Sequence, residues 1–129
     1  GLWGSHSKPQ VLLSAAIVDG TLVTGTQSGQ LLAWYGRECI RSVASAHDGP
    51  VLSLVATPKG GLLSGGKDGQ VKLWDNDLVL VKAYPLQGPS SPVVVRSLAV
   101  DAHQSRIAVG LKSNEVYELV ADTGAAVRV

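Results

Sequence analysis

Cysteine is almost missing from this 129-residue chain, and phenylalanine and methionine are missing altogether. The single thiol, Cys39, allows no intrachain disulfide and no cysteine-rich metal site, and it fits a reducing compartment. No apolar run approaches the ~20 residues that a membrane-crossing helix requires. The opening stretch GLWGSHSKPQ lacks the hydrophobic segment of a signal peptide. A soluble, intracellular protein is therefore expected. Charge of one sign is also lacking, since 11 basic residues face 10 acidic ones for a formal net charge of +1. That balance supplies no basic patch or stripe for nucleic acid. No stretch shows sustained helical periodicity.

Hydrophobic residues, mostly Val, Leu, Ile and Ala, make up 45% of the chain, and charged residues make up 16%. A chain of this composition buries a core and is not disordered. Fifteen glycines and six prolines cut it into short runs, which favours strands over long helices.

An internal repeat organises those runs. Residues 21–34 read TLVTGTQSGQLLAW and residues 61–74 read GLLSGGKDGQVKLW, an offset of 40. Leu22, Thr24, Gly25, Gly29, Gln30 and Trp34 thereby match Leu62, Ser64, Gly65, Gly69, Gln70 and Trp74. A third copy, RIAVGLKSNEVYEL at 106–119, lies 45 residues further on, with Gly110, Asn114 and Leu119 in the places of Gly65, Gly69 and Trp74. Each copy is preceded by a β-rich run (Val11–Ala16, Val51–Ala56, Val93–Val100) and followed by another (Ile40–Ser45, Leu78–Tyr84, Ala126–Val129). Four short strands every ~40–45 residues make the blade of a propeller. Ser28-Gly29 and Asp68-Gly69 suit a reversal that needs a positive φ, and Asn114 is the next best residue there after glycine. The expected fold is all-β, with three four-stranded blades over about 11–45, 51–84 and 93–129 of a partial propeller spanning 1–129.

The second copy, with AHDGPV, LLSGGKDG and KLWD, resembles a WD40 repeat. The resemblance implies a buried tetrad of His47, Ser64, Asp68 and Trp74. The indole N–H of a buried Trp needs an acceptor, and such a network holds a blade only if every member is satisfied. The first copy keeps Thr24 and Trp34 but has Ser28 and no clear His. The third has Val109, Ser113 and Leu119, so packing alone would hold it. Over residues 1 to about 124, GLWGSHSKPQ, VLLSAA, AHDGP, VRSLAV and RIAVGLKSNEVYEL look like the echinoderm microtubule-associated protein-like family. That resemblance implies a non-catalytic interaction scaffold, cytoplasmic and cytoskeletal, with tubulin or microtubules as partner. A general WD40 adaptor in another multiprotein complex is the alternative.

Enzyme-like patterns are weak. Gly61–Lys67 reads G-x-x-x-x-G-K, but Asp68 follows where a P-loop needs Ser or Thr, and strands flank it. His47, Ser64 and Asp68 are the residue types of a hydrolase triad, yet a triad needs an exposed nucleophile and a cleft, and that role leaves Trp74 unexplained. Asp75-Asn76-Asp77 lacks the Gly and distal Glu of a calcium loop. His6 and His103 lack partners at metal spacing. No metal or cofactor is expected. The partner-binding residues are instead sought on the turns between strands two and three, where Gln27, Lys67 and Lys112 occupy equivalent points, and on the loops ahead of the first strands, with Asp48, Ser90 and Ser91. Ser91-Pro92 also fits a proline-directed kinase. Three blades leave two sheet faces uncovered, expected to be lined by Val, Leu and Ile, so the chain should continue into further blades or self-associate.

Overall fold

The computed structural model describes residues 11–86 and 93–129. Among them are twelve strands and no helix, arranged as three four-stranded antiparallel sheets. The first sheet holds β1 (Leu12–Val18), β2 (Thr21–Thr26), β3 (Leu31–Tyr35) and β4 (Glu38–Val43). The second holds β5 (Val51–Ala56), β6 (Leu62–Gly66), β7 (Gln70–Trp74) and β8 (Leu80–Pro85). The third holds β9 (Val95–Val100), β10 (Arg106–Leu111), β11 (Val116–Val120) and β12 (Ala126–Arg128). Every sheet is ordered as its strands occur in the chain, so each is a meander. The three sheets stack as propeller blades, with the first strand β5 of the middle blade against both β1 and β9.

Burial follows from position in the stack. β6 lies between two neighbouring sheets and is buried at all five residues, which is why LLSGG carries no charge and ends in the smallest side chains. β4 is an outermost strand and is exposed at all but one residue, so Glu38, Arg41 and Ser42 are tolerated there. β8 starts at Leu80 rather than Leu78, because Leu78 takes a positive φ of 60° in the turn closed by its N–H bond to the Asp75 carbonyl. Asp75 Oδ1 also accepts from the backbone N–H groups of Asp77 and Val79, so the three polar residues there form a side-chain-capped turn.

One turn recurs three times. Gly29, Gly69 and Asn114 have φ of 92°, 78° and 71°, and each donates its N–H to the carbonyl three residues earlier: Thr26, Gly66 and Leu111. A β-bulge recurs as well. Leu12/Ser14, Val51/Ser53 and Val95/Ser97 pair with consecutive residues of the second strand, which leaves Leu13, Leu52 and Arg96 as the extra residues. Bulges of this kind re-aim side chains.

Two apolar clusters join the blades. Val18, Val23, Leu31 and Ala33 of the first sheet pack with Val51, Leu54, Leu62 and Trp74 of the second. Leu63, Val71 and Tyr84 of the second pack with Val95, Ile107, Val109 and Leu119 of the third. The Tyr84 hydroxyl adds a bond of 2.7 Å to the Ala121 carbonyl across that junction. The two outward faces differ from each other. On the first sheet Leu13, Ile17 and Leu22 are exposed, as expected. On the third the register places Ser97, Ala99, Ala108, Gly110, Val116, Glu118, Val120 and Val127 outward, with Arg106 3.4 Å from Glu118. Of the three residue types expected on that face only valine is present, because small residues and an ion pair take the remaining positions.

Candidate functional site

Four side chains meet in the second blade, from the loop ahead of it, two of its strands and the turn between those strands. Trp74, on β7, donates its indole N–H to Ser64 Oγ on the adjacent β6 at 2.8 Å. His47 lies in the loop before β5, with Nε2 2.7 Å from Ser64 Oγ and Nδ1 3.0 and 3.1 Å from the Asp68 carboxylate oxygens. Asp68 also accepts from the backbone N–H groups of Asp48 (3.0 Å) and Gln70 (3.1 Å). Ser64 is fully buried, and His47 and Trp74 are each 4% exposed. The His47 backbone N–H reaches the Gly29 carbonyl of the first blade at 3.1 Å, which ties the set to its neighbour.

The hydrogen-bond directions close only with a neutral imidazole. Nδ1–H donates to Asp68, Nε2 accepts from the Ser64 hydroxyl, and Ser64 Oγ accepts from Trp74. A proton on Nε2 would aim two N–H donors at Ser64 and deprive its hydroxyl of an acceptor. Accordingly the His47 pKa is lowered from 6.5, chiefly by burial, which outweighs the opposing pull of Asp68, and Lys72 lowers it further. The unfolded chain therefore binds more protons than the folded one just below the ordinary histidine value. Stability is expected to be fully present above pH 6.5 and to fall as the pH drops below it. Replacing His47 with glutamine should flatten that part of a pH series of urea midpoints. A second decline belongs to Asp101, whose pKa is lowered to about 2 by bonds from the Arg106 backbone N–H and the Ser105 hydroxyl. Its contribution is fully present above the ordinary carboxylate value of 3.8, falls as the pH drops below it, and is gone below about 2.

The first and third blades solve the same position differently. A Cβ on Gly66 would lie 2.7 Å from His47 Nδ1 and 2.9 Å from Asp68 Oδ1, so only glycine leaves room for the histidine. The first blade has Thr26 in that place, buried, with its Oγ1 3.1 Å from Ser28 Oγ and accepting the Gln30 N–H at 3.0 Å. The third has buried Leu111. In the first blade Trp34 still donates to Thr24 Oγ1 at 2.9 Å. In the third, buried Val109 and Leu119 replace the polar pair.

Gln27, Lys67 and Lys112 share one backbone environment. Their N–H groups donate to the carbonyls of Val11, Pro50 and Val94, just ahead of the first strand of each blade, and their side chains are exposed on one rim. Asp48 is exposed beside them, on the loop held by Asp68. Ser90, Ser91 and Pro92, and also His6, lie outside the described residues. Sequence reasoning missed Arg96. Together with Lys67, Lys112, Leu52 and Val94 it lines a cavity of about 410 Å³ between the second and third blades. Gly61–Lys67 forms strand β6 and its flanks rather than a loop opening a helix, and Ser64 commits its hydroxyl to the two buried partners.

Three meandering sheets, one with a His–Ser–Asp–Trp set, define a β-propeller protein of the WD40-repeat class. The profile of that family (WD domain, G-beta repeat) matches residues 37–75. The chain is a WD40-repeat protein whose sequence relatives are echinoderm microtubule-associated proteins and proteins named after them. It is 34% identical to human echinoderm microtubule-associated protein-like 2 over 128 residues, covering 96% of the chain and 19% of that protein. It is 37% identical to the 77 kDa echinoderm microtubule-associated protein of Lytechinus variegatus over 98 residues, covering 72% of the chain and 15% of that protein. To the mouse protein named echinoderm microtubule-associated protein-like 4 it is 28% identical, covering 100% of the chain and 14% of that protein. The chain thus spans less than a fifth of the length of these relatives. The β-propeller domain of Cps50 (Swd1) from Myceliophteria thermophila shares the fold, with a TM-score of 0.78 at 21% identity over 92% of the chain and 43% of that domain.

Proposed function

We propose that this chain is a section of a non-catalytic, cytoplasmic and cytoskeletal interaction propeller that engages microtubules through the rim bearing Gln27, Lys67, Lys112 and Asp48. The tetrad of His47, Ser64, Asp68 and Trp74 serves in this reading as a structural lock that holds the rim loops in place. Further blades of a longer chain, or a second copy, cover the outward sheet faces. The microtubule-associated relatives supply the partner. The observation that carries the site is the repeated turn, which sets exposed Lys67 and Lys112 at equivalent points on adjacent blades. Two cations on one rim complement an acidic protein surface, and each exposed pair contributes ~0–1 kcal/mol.

Microtubule co-sedimentation of the Lys67→Ala/Lys112→Ala double variant is therefore expected to show binding weaker by about three- to tenfold, since tenfold corresponds to about 1.4 kcal/mol. Unchanged binding would reject the rim as the contact.

A further inference from the structure

The cavity between the second and third blades breaks the repeat in one respect. The bulge residue of the first strand is Leu13 in the first blade and Leu52 in the second, but Arg96 in the third. A position that is apolar twice becomes cationic where the two lysine-bearing turns flank it. Lys67, Arg96 and Lys112 surround a floor made by Leu52 and Val94. None of the three cations is in an ion pair among the described residues. Like charges gathered around one concavity repel each other, and an anion relieves that repulsion while gaining charge-assisted hydrogen bonds. The apolar floor favours a group with methylenes behind its charge. A nucleic-acid backbone needs a longer basic track, and a net charge of +1 leaves little for one.

We infer that this cavity binds an acidic peptide segment, with a glutamate or aspartate carboxylate held by Lys67, Arg96 and Lys112 over Leu52 and Val94. The inference rests on the reading of the chain as a protein-interaction module and names the chemistry of what that module holds. Arg96 supplies the planar two-pronged contact to the carboxylate, and the lysines supply point charges on either side.

The test is fluorescence anisotropy of the 129-residue chain with a dye-labelled peptide of alternating glutamate and valine, beside its glutamine counterpart. The glutamate peptide should bind, weaken with added salt, and outbind the glutamine peptide. Arg96→Leu, which installs the residue that the other two blades carry there, should weaken binding about tenfold while leaving the melting temperature in place. Equal binding by Arg96→Leu, or equal binding of the two peptides, overturns the inference. So does displacement of the peptide by inorganic phosphate or oligouridylate at lower concentration than unlabelled peptide, which would reassign the cavity to a free anion or to RNA. Microtubule co-sedimentation in parallel separates the two readings. Microtubule binding without peptide binding sinks this inference alone, and peptide binding without microtubule binding sinks only the choice of partner.

Discussion

Trp74→Ala is expected to lower the unfolding free energy by about 4 kcal/mol, near the middle of the range for emptying a large core site. A domain of this kind has only about 5–15 kcal/mol of net stability, so the variant should sit close to its unfolding midpoint at moderate temperature. Two effects add. Trp74 is 4% exposed and belongs to the cluster that joins the first and second blades, so its removal opens a cavity at a junction. The change also strips the indole donor from Ser64 Oγ. Trp34 is the internal control. It makes the same bond, to Thr24, but it is only half-buried, and among the described residues no histidine relay stands behind Thr24. Trp34→Ala should therefore cost about half as much, with less cavity opened. Ser64→Ala isolates the polar part. It leaves both the Trp74 N–H and His47 Nε2 without their partner, at about 1–3 kcal/mol for each buried group. Ser64→Thr keeps the hydroxyl, as the first blade does with Thr24, and should recover most of that loss. Urea denaturation followed by tryptophan fluorescence reads all four. If Trp34→Ala and Trp74→Ala proved equally costly, the tetrad would not be the lock.

The backbone was largely legible in the sequence because the repeat carries turn chemistry that few residues satisfy. Gly29, Gly69 and Asn114 do take left-handed conformations, and the strands run between them. Sequence reading failed where the determinant is a contact between segments. Arg96 went unnoticed because the third blade changes register within itself. Val51 corresponds to Val95, an offset of 44, whereas Leu62 corresponds to Ile107, an offset of 45. Only the paired strands show that Arg96 is the counterpart of Leu52. Thr26, Gly66 and Leu111 were unreadable for a similar reason. Glycine at 66 looks like part of a loose GG pair until the space a Cβ would need is found to hold His47 and Asp68. The first strand of the third blade begins at Val95 rather than Val93 and the last strand of the second at Leu80, both boundary differences of two residues, the latter set by the turn from Asp75 to Leu78. The lysine rim was visible as a repeat position, but its three shared backbone bonds were not.

Gly65→Ala is expected to cost about 3 kcal/mol in this chain, whereas Gly110→Ala at the same repeat position should cost well under 1, the first figure reflecting overpacking of a tight site. At Gly65 a Cβ would lie 2.7 Å from Ser53 Oγ and 3.2 Å from Val95 Cβ, with Val95 Cγ1 closer still. At Gly25 it would lie 2.7 Å from Val51 Cβ. Each glycine is thus the seat on which the first-strand valine of the next blade rests, and Ser14 Oγ adds a bond of 2.9 Å to the Val51 carbonyl. Sterics rather than that bond set the seat, since Ser53 Oγ in the second blade has no partner among the described residues. Gly110 has the same serine beside it, Ser97, but no valine, and Ser97 is exposed and able to turn aside. A methyl there meets nothing from another sheet. If a further blade docks on the third in a longer polypeptide, a β-branched residue of its first strand should sit on Gly110, and Gly110→Ala should then become as damaging as Gly65→Ala. Thermal unfolding of both variants, in this chain and in one extended by the next sheet, decides the matter. Equal damage in the short chain, or none at Gly110 in the long one, would refute the stacking of successive valines on glycines as the rule by which these blades join.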